Sequence, residues 1–176
     1  DHEKITVYWT NDPETSIDVV TTYSDFEGYK IYKSTDNGST WGNPSQMVLD
    51  DESVHVGWQP YAQFDLNAAQ DSAFCILGND WDGDCRTTFD YGSDCDPCVR
   101  NREFSGPDPL APWFNLGENT GFDAVRLTTP KVIDGIEYEY AFVDSNKYEN
   151  DLIEENIIEG SLYTYSVVAY DIGIPA

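Results

Sequence analysis

Residues 132–143 read Val-Ile-Asp-Gly-Ile-Glu-Tyr-Glu-Tyr-Ala-Phe-Val. A close variant, Ile-Ile-Glu-Gly-Ser-Leu-Tyr-Thr-Tyr-Ser-Val-Val, returns 25 residues later at 157–168. Both follow the pattern apolar-Ile-acid-Gly-x-x-Tyr-x-Tyr-x-apolar-Val. Aromatic and β-branched residues at every second position suit a pleated, half-buried surface, and a period of two is incompatible with a helical face. Two copies are too few for a solenoid, which normally needs three or more units. The reading is therefore two β-strands with the same opening turn, and a chain that folds mainly as β-structure.

Other segments agree. Ile5–Trp9 alternates as a strand and is stopped by Asn11-Asp-Pro-Glu14. Gly28–Lys33 is the next strand, with Tyr29 and Ile31 on one face. It runs into Ser34-Thr-Asp-Asn-Gly-Ser-Thr-Trp41, where Asn37-Gly38 tolerates positive φ and predicts a hairpin turn. Ser34 and Asp36 are placed to accept backbone N–H bonds, and Trp41 to fold back over the turn. Trp58–Leu66 holds a short strand, Asn67–Ala73 a helical turn, and Asp151–Glu155 an acidic loop or helical turn.

The Ser34–Trp41 phrase resembles the Asp-box of sialidase-type β-propellers. A propeller needs at least four blades of about 40–50 residues each. One box in 176 residues points instead to a turn lock with no catalytic role of its own.

A second resemblance organises the chain. Ile157-x-Glu-Gly160-Ser161-x-Tyr163-x-Tyr165-x-Val167-x-Ala169 resembles the fibronectin type III signature. Tyr163 falls at that family's tyrosine corner, Trp9 at its strand B tryptophan, and Gly28–Tyr32 at its strand C. Asp25–Ser34 and Ala169–Gly173 are similar to a bacterial subgroup found in large secreted or surface proteins. The resemblance implies an all-β, fibronectin III/immunoglobulin-like β-sandwich from residues 1–42 and 130–176, with an irregular Cys- and Asp-rich insertion at 43–129. Glu159 replaces the usual proline. Strands A and G of the family have no counterpart. Excision from a longer protein is the first explanation. Replacement by the insertion, or strand exchange with a neighbouring molecule, are the others.

The insertion carries Cys75, Cys85, Cys95 and Cys98. Two disulfides are expected, Cys75–Cys85 with Cys95–Cys98 in sequence order, or a nested Cys75–Cys98 with Cys85–Cys95. A four-thiolate zinc site or free thiols compete with that reading. Asn79, Asp80, Asp82 and Asp84 surround a Gly turn, with Asp90, Asp94 and Asp96 to complete a shell. Alternating carboxylates of this kind can supply the six to eight oxygens calcium requires. Asp12, Glu14, Asp18, Asp25 and Glu27 form a second candidate calcium cluster. The plainer reading of both is solvated acidic turns.

Charge narrows the partners. Nine Lys and Arg against 33 Asp and Glu leave a formal charge of −24, which repels nucleic acid and anionic membrane surfaces and attracts cations. No run of about 18 apolar residues suggests membrane insertion. His2 and His55 stand near no nucleophile at a catalytic spacing, and no esterase, zinc-protease or phosphate-loop motif occurs. The expectation is a non-catalytic, secreted or cell-surface module. It would build a structure or fibre with other domains or copies of the same protein, stabilised by calcium. The alternative is a glycan- or ligand-binding module using Trp58, Tyr61, Trp81, Tyr91 and Trp113, unless those rings form a small core of the insertion.

Overall fold

A computed structural model describes residues 3–16, 26–73, 105–108, 110–149, 152–155 and 157–171. In chain order the strands are β1 (Lys4–Trp9), β2 (Phe26–Ser34), β3 (Met47–Leu49), β4 (His55–Trp58), β5 (Ala62–Asp65), β6 (Gly106–Pro107), β7 (Asn115–Gly117), β8 (Arg126–Ile133), β9 (Ile136–Ser145), β10 (Lys147–Glu149), β11 (Leu152–Glu155) and β12 (Thr164–Asp171). The one α-helix among the described residues is α1 (Ala68–Ala73), opened by Asn67, whose side chain accepts from the backbone of Ala69 and Gln70. The fold is thus almost wholly antiparallel β.

Two three-stranded sheets dominate, in the orders β1-β9-β8 and β12-β2-β5. Their inner faces share one core. Trp9 of β1 stacks on Tyr140 of β9 at 5.4 Å and meets Tyr29 of β2 edge-on at 5.6 Å. Phe26, Ile31, Leu66, Phe122 and Val125 close the cluster. Tyr29 and Ile31 share a face, as their spacing requires. Each large ring buried here removes roughly 150–250 Å² from water, so the aromatics carry most of this cluster's apolar burial.

The segment 43–129 contributes to this core as well. β5 pairs with β2 from Gly28↔Asp65 to Ile31↔Ala62. The strands run so close that a Cβ at Gly28 would collide with the Phe64 carbonyl oxygen. Asp65, fully buried, accepts from the backbone of Asn119 and Thr120 at 2.6 and 3.0 Å and so ties β5 to the chain before β8. β8 itself begins at Arg126, and Pro130 lies in its irregular stretch between Arg126 and Lys131, where no ladder donor is needed.

Two local expectations change. Residues 152–155 are a strand paired with β10, not a loop or helical turn. The short strand expected within Trp58–Leu66 is β5, and Trp58 also ends β4. The Ser34–Trp41 turn does not join a hairpin, because β2 pairs with β12 and β5 while β3 pairs with β4. The two repeated phrases share a glycine at positive φ, Gly135 at 83° and Gly160 at 84°, but not the same turn. Only the first makes a hairpin, with Asp134 also at positive φ between β8 and β9.

Candidate functional site

The Ser34–Trp41 turn is held by its own side chains. Ser34 Oγ donates to Asp36 Oδ1 at 2.7 Å and accepts from Gly38 N at 2.9 Å. Asp36 accepts from Thr40 N and from Thr40 Oγ1, both at 2.8 Å. Asn37 and Gly38 take φ of 62° and 84°. The ring of Trp41 lies beneath Gly38 and edge-on to Tyr32. The backbone N–H of Thr40, then the hydroxyls of Ser34 and Thr40, hold the Asp36 carboxyl down at about 2. The turn chemistry read from the sequence is present, but it ends a strand instead of closing a hairpin.

A second carboxylate lies inside. Asp144 of β9, 2 % exposed, pairs with Lys33 of β2 at 2.8 Å. Tyr61 donates its hydroxyl to the same carboxylate at 2.8 Å, and Tyr165 of β12 makes a further short bond to it. The Lys33 ammonium also lies 4.7 Å from the Tyr61 ring centre and 5.2 Å from that of Tyr163. Burial, followed by the hydrogen bond and charge of Asp144, pushes the Tyr165 hydroxyl well above its ordinary value. This clamp joins the two sheets. A period-two reading contains its signal: Tyr29, Ile31 and Lys33 fall on one face of β2, and Tyr140, Phe142 and Asp144 on one face of β9. A cation and an anion on the inward registers of two strands must neutralise each other or be expelled.

Between the turn and the clamp lies a cleft of about 430 Å³. Trp41 and Tyr61 form its apolar surfaces, and Thr35, Gln46 and Gln59 bring hydroxyl and amide groups. Gln46 is fixed by a reciprocal cap. Its Oε1 accepts from Asn43 N at 2.9 Å, while Asn43 Oδ1 accepts from Ser45 N at 2.9 Å. Gln59 N donates to the Gln46 carbonyl at 2.8 Å.

The expected site residues fare differently. Glu14 accepts from the Tyr29 hydroxyl at 3.3 Å, bonds Tyr140 and lies 3.7 Å from Arg126, so its oxygens serve the core's edge. Asp12 accepts from Thr10 Oγ1 at 2.9 Å, and Glu27 is fully buried in β2. Among the described residues no group of three or more His, Cys, Asp or Glu is arranged to hold a metal ion. Asp18 and Asp25 lie outside the described residues, as do Asn79, Asp80, Asp82, Asp84, Asp90, Asp94 and Asp96, and Cys75, Cys85, Cys95 and Cys98. Of the five rings considered for a ligand, Tyr61 lines the cleft. Trp58 sits in β4, edge-on to His55 at 4.9 Å, and Trp113 in the turn before β7. Trp81 and Tyr91 lie outside the described residues. Sequence reasoning missed Trp41, Gln46 and Gln59 as neighbours of Tyr61, because the cleft joins segments whose proximity depends on the β2–β5 pairing.

No helix of the described residues is long and apolar enough to cross a membrane. Comparison with protein-family models, curated proteins and solved structures finds no match for this chain.

Proposed function

We propose that this chain is a non-catalytic structural module, a fibronectin III-like β-sandwich that builds a secreted or cell-surface protein or fibre. The observation that carries the reading is the hydroxyl of Tyr163, which accepts from Ile158 N at 2.9 Å just before β12. A tyrosine bonded to the backbone a few residues upstream of its strand is the corner that stabilises this class of sandwich. Support comes from Trp9, buried in the opposing sheet, and from the strand orders. In the family's lettering β1-β9-β8 reads B-E-D, and β12-β2-β5 reads F-C with an added edge strand.

Assembly is the second half of the proposal. Copies carrying −24 charges repel one another unless cations bridge or neutralise them. The carboxylates of 79–96 are the first candidates for calcium, on the strength of their sequence spacing. The test is the melting temperature and particle size of the chain in millimolar calcium and in chelator. The expected result is a higher melting temperature and larger particles with calcium. If neither quantity changes, calcium-bridged assembly is wrong.

A further inference from the structure

We propose that the cleft between Trp41 and Tyr61 is a binding site for a neutral saccharide. This inference does not depend on the structural role above.

The first ground is the chemistry of the walls. The hydroxyl-rich edge of a sugar needs hydroxyls and amides, while its C–H face is apolar and suits the electron-rich face of an aromatic ring. The cleft provides both. Trp41 and Tyr61 are half-buried. Thr35, Gln46 and Gln59 lie beside them. A volume of about 430 Å³ falls within the usual span for small-ligand sites, roughly 300–1,000 Å³.

The second ground is charge. The chain has 33 acidic residues among 176, yet among the described residues no carboxylate lines this cleft. Lys33, the one charged wall group among the described residues, is neutralised by Asp144 at 2.8 Å. Among the described wall groups a cation would find no carboxylate, the neighbouring Asp36 being engaged by Ser34 and Thr40, and an anion would find only a lysine already paired. In the midst of an acidic surface, a neutral polar cleft selects an uncharged, hydroxylated ligand.

The third ground is preorganisation. Trp41 is held by a turn whose Asp36 and Ser34 bond it from within, and Tyr61 is fixed by its hydroxyl bond to Asp144. Gln46 is fixed by the reciprocal cap with Asn43. Little side-chain freedom remains to be lost when a ligand arrives.

The experiment is titration of the whole chain with neutral oligosaccharides of glucose, mannose, galactose, xylose and N-acetylglucosamine, read by tryptophan fluorescence and by saturation-transfer NMR. At least one is expected to bind with a Kd of about 1 mM or tighter. Trp41→Ala and, separately, Gln59→Leu should each weaken that binding at least about tenfold. Gln59→Leu leaves the turn and the clamp intact, so it keeps the test decisive if Trp41→Ala fails to fold. Three outcomes overturn the proposal: no member binds at about 10 mM, binding is confined to charged sugars such as uronates, or binding survives both substitutions.

Discussion

Asp36 and Asp144 are both carboxylates ringed by donors, and they do opposite work. Every bond to Asp36 comes from within four residues of it, in an exposed turn. The bonds to Asp144 come from Lys33, Tyr61 and Tyr165, which lie on other strands or connections, and the carboxylate is 2 % exposed. The first network decides the path of a few residues. The second holds two sheets together. An exposed network competes with water for every hydrogen bond, so its loss costs the fold little. A buried one has no water to fall back on, so removing one partner strands the others.

The strongest way to break this contrast is Asp144→Ala. It leaves the Lys33 ammonium, 13 % exposed at the cleft wall, and two half-buried tyrosine hydroxyls without their shared acceptor, and urea unfolding should show a loss of about 3 kcal/mol. Replacing both ends of the pair, Lys33→Met with Asp144→Leu, should cost clearly less than the two single changes added together, because no buried charge is then left alone. Additive losses would show that the pair is not coupled and that the clamp is incidental.

Tyr163→Phe tests an intermediate case, since its hydroxyl reaches only five residues back to Ile158 but anchors the start of β12. About 1 kcal/mol should be lost in the same measurement. A loss as large as that of Asp144→Ala would move the corner into the class of inter-sheet clamps.

The smallest effect belongs to Asp36, and pH reveals it. Its carboxyl is held at about 2, below the ordinary 3.8. A depressed carboxylate contributes stability that is fully present above the unfolded value. That contribution disappears as pH falls through the folded one, here between about 4 and 2. The Thr40 amide resonance should titrate with a midpoint near 2, and Trp41 fluorescence should follow it. A midpoint near the ordinary carboxylate value would show that the turn is not locked as described.

The same contrast accounts for what could be read early. Strands β1, β2 and β9 are legible because alternation is a property of consecutive residues, and the Asn37-Gly38 turn because its positive φ is a local demand. Residues 152–155 were not legible as a strand, since their acidic pattern gains a ladder only from β10. β5 was legible as a strand but not as a member of the central sheet. That place depends on Gly28, whose missing side chain lets β5 approach β2 so closely. The bonds of Asp12 and Glu14 to Thr10, Tyr29, Tyr140 and Arg126 were not legible either, since all but the first join residues that meet only in space.

By itself, then, the amino-acid order determined the β class, the turn chemistry of 34–41 and the acidic field, because each arises from neighbours a few bonds apart. Tertiary structure alone decided that the turn would end a strand rather than close a hairpin, that Lys33 and Asp144 would meet, and that Trp41 and Tyr61 would face one cleft. These depend on which strands pair and in what register. The side chains that set the pairing lie dozens of residues apart and find one another only when the apolar faces of both sheets are buried together.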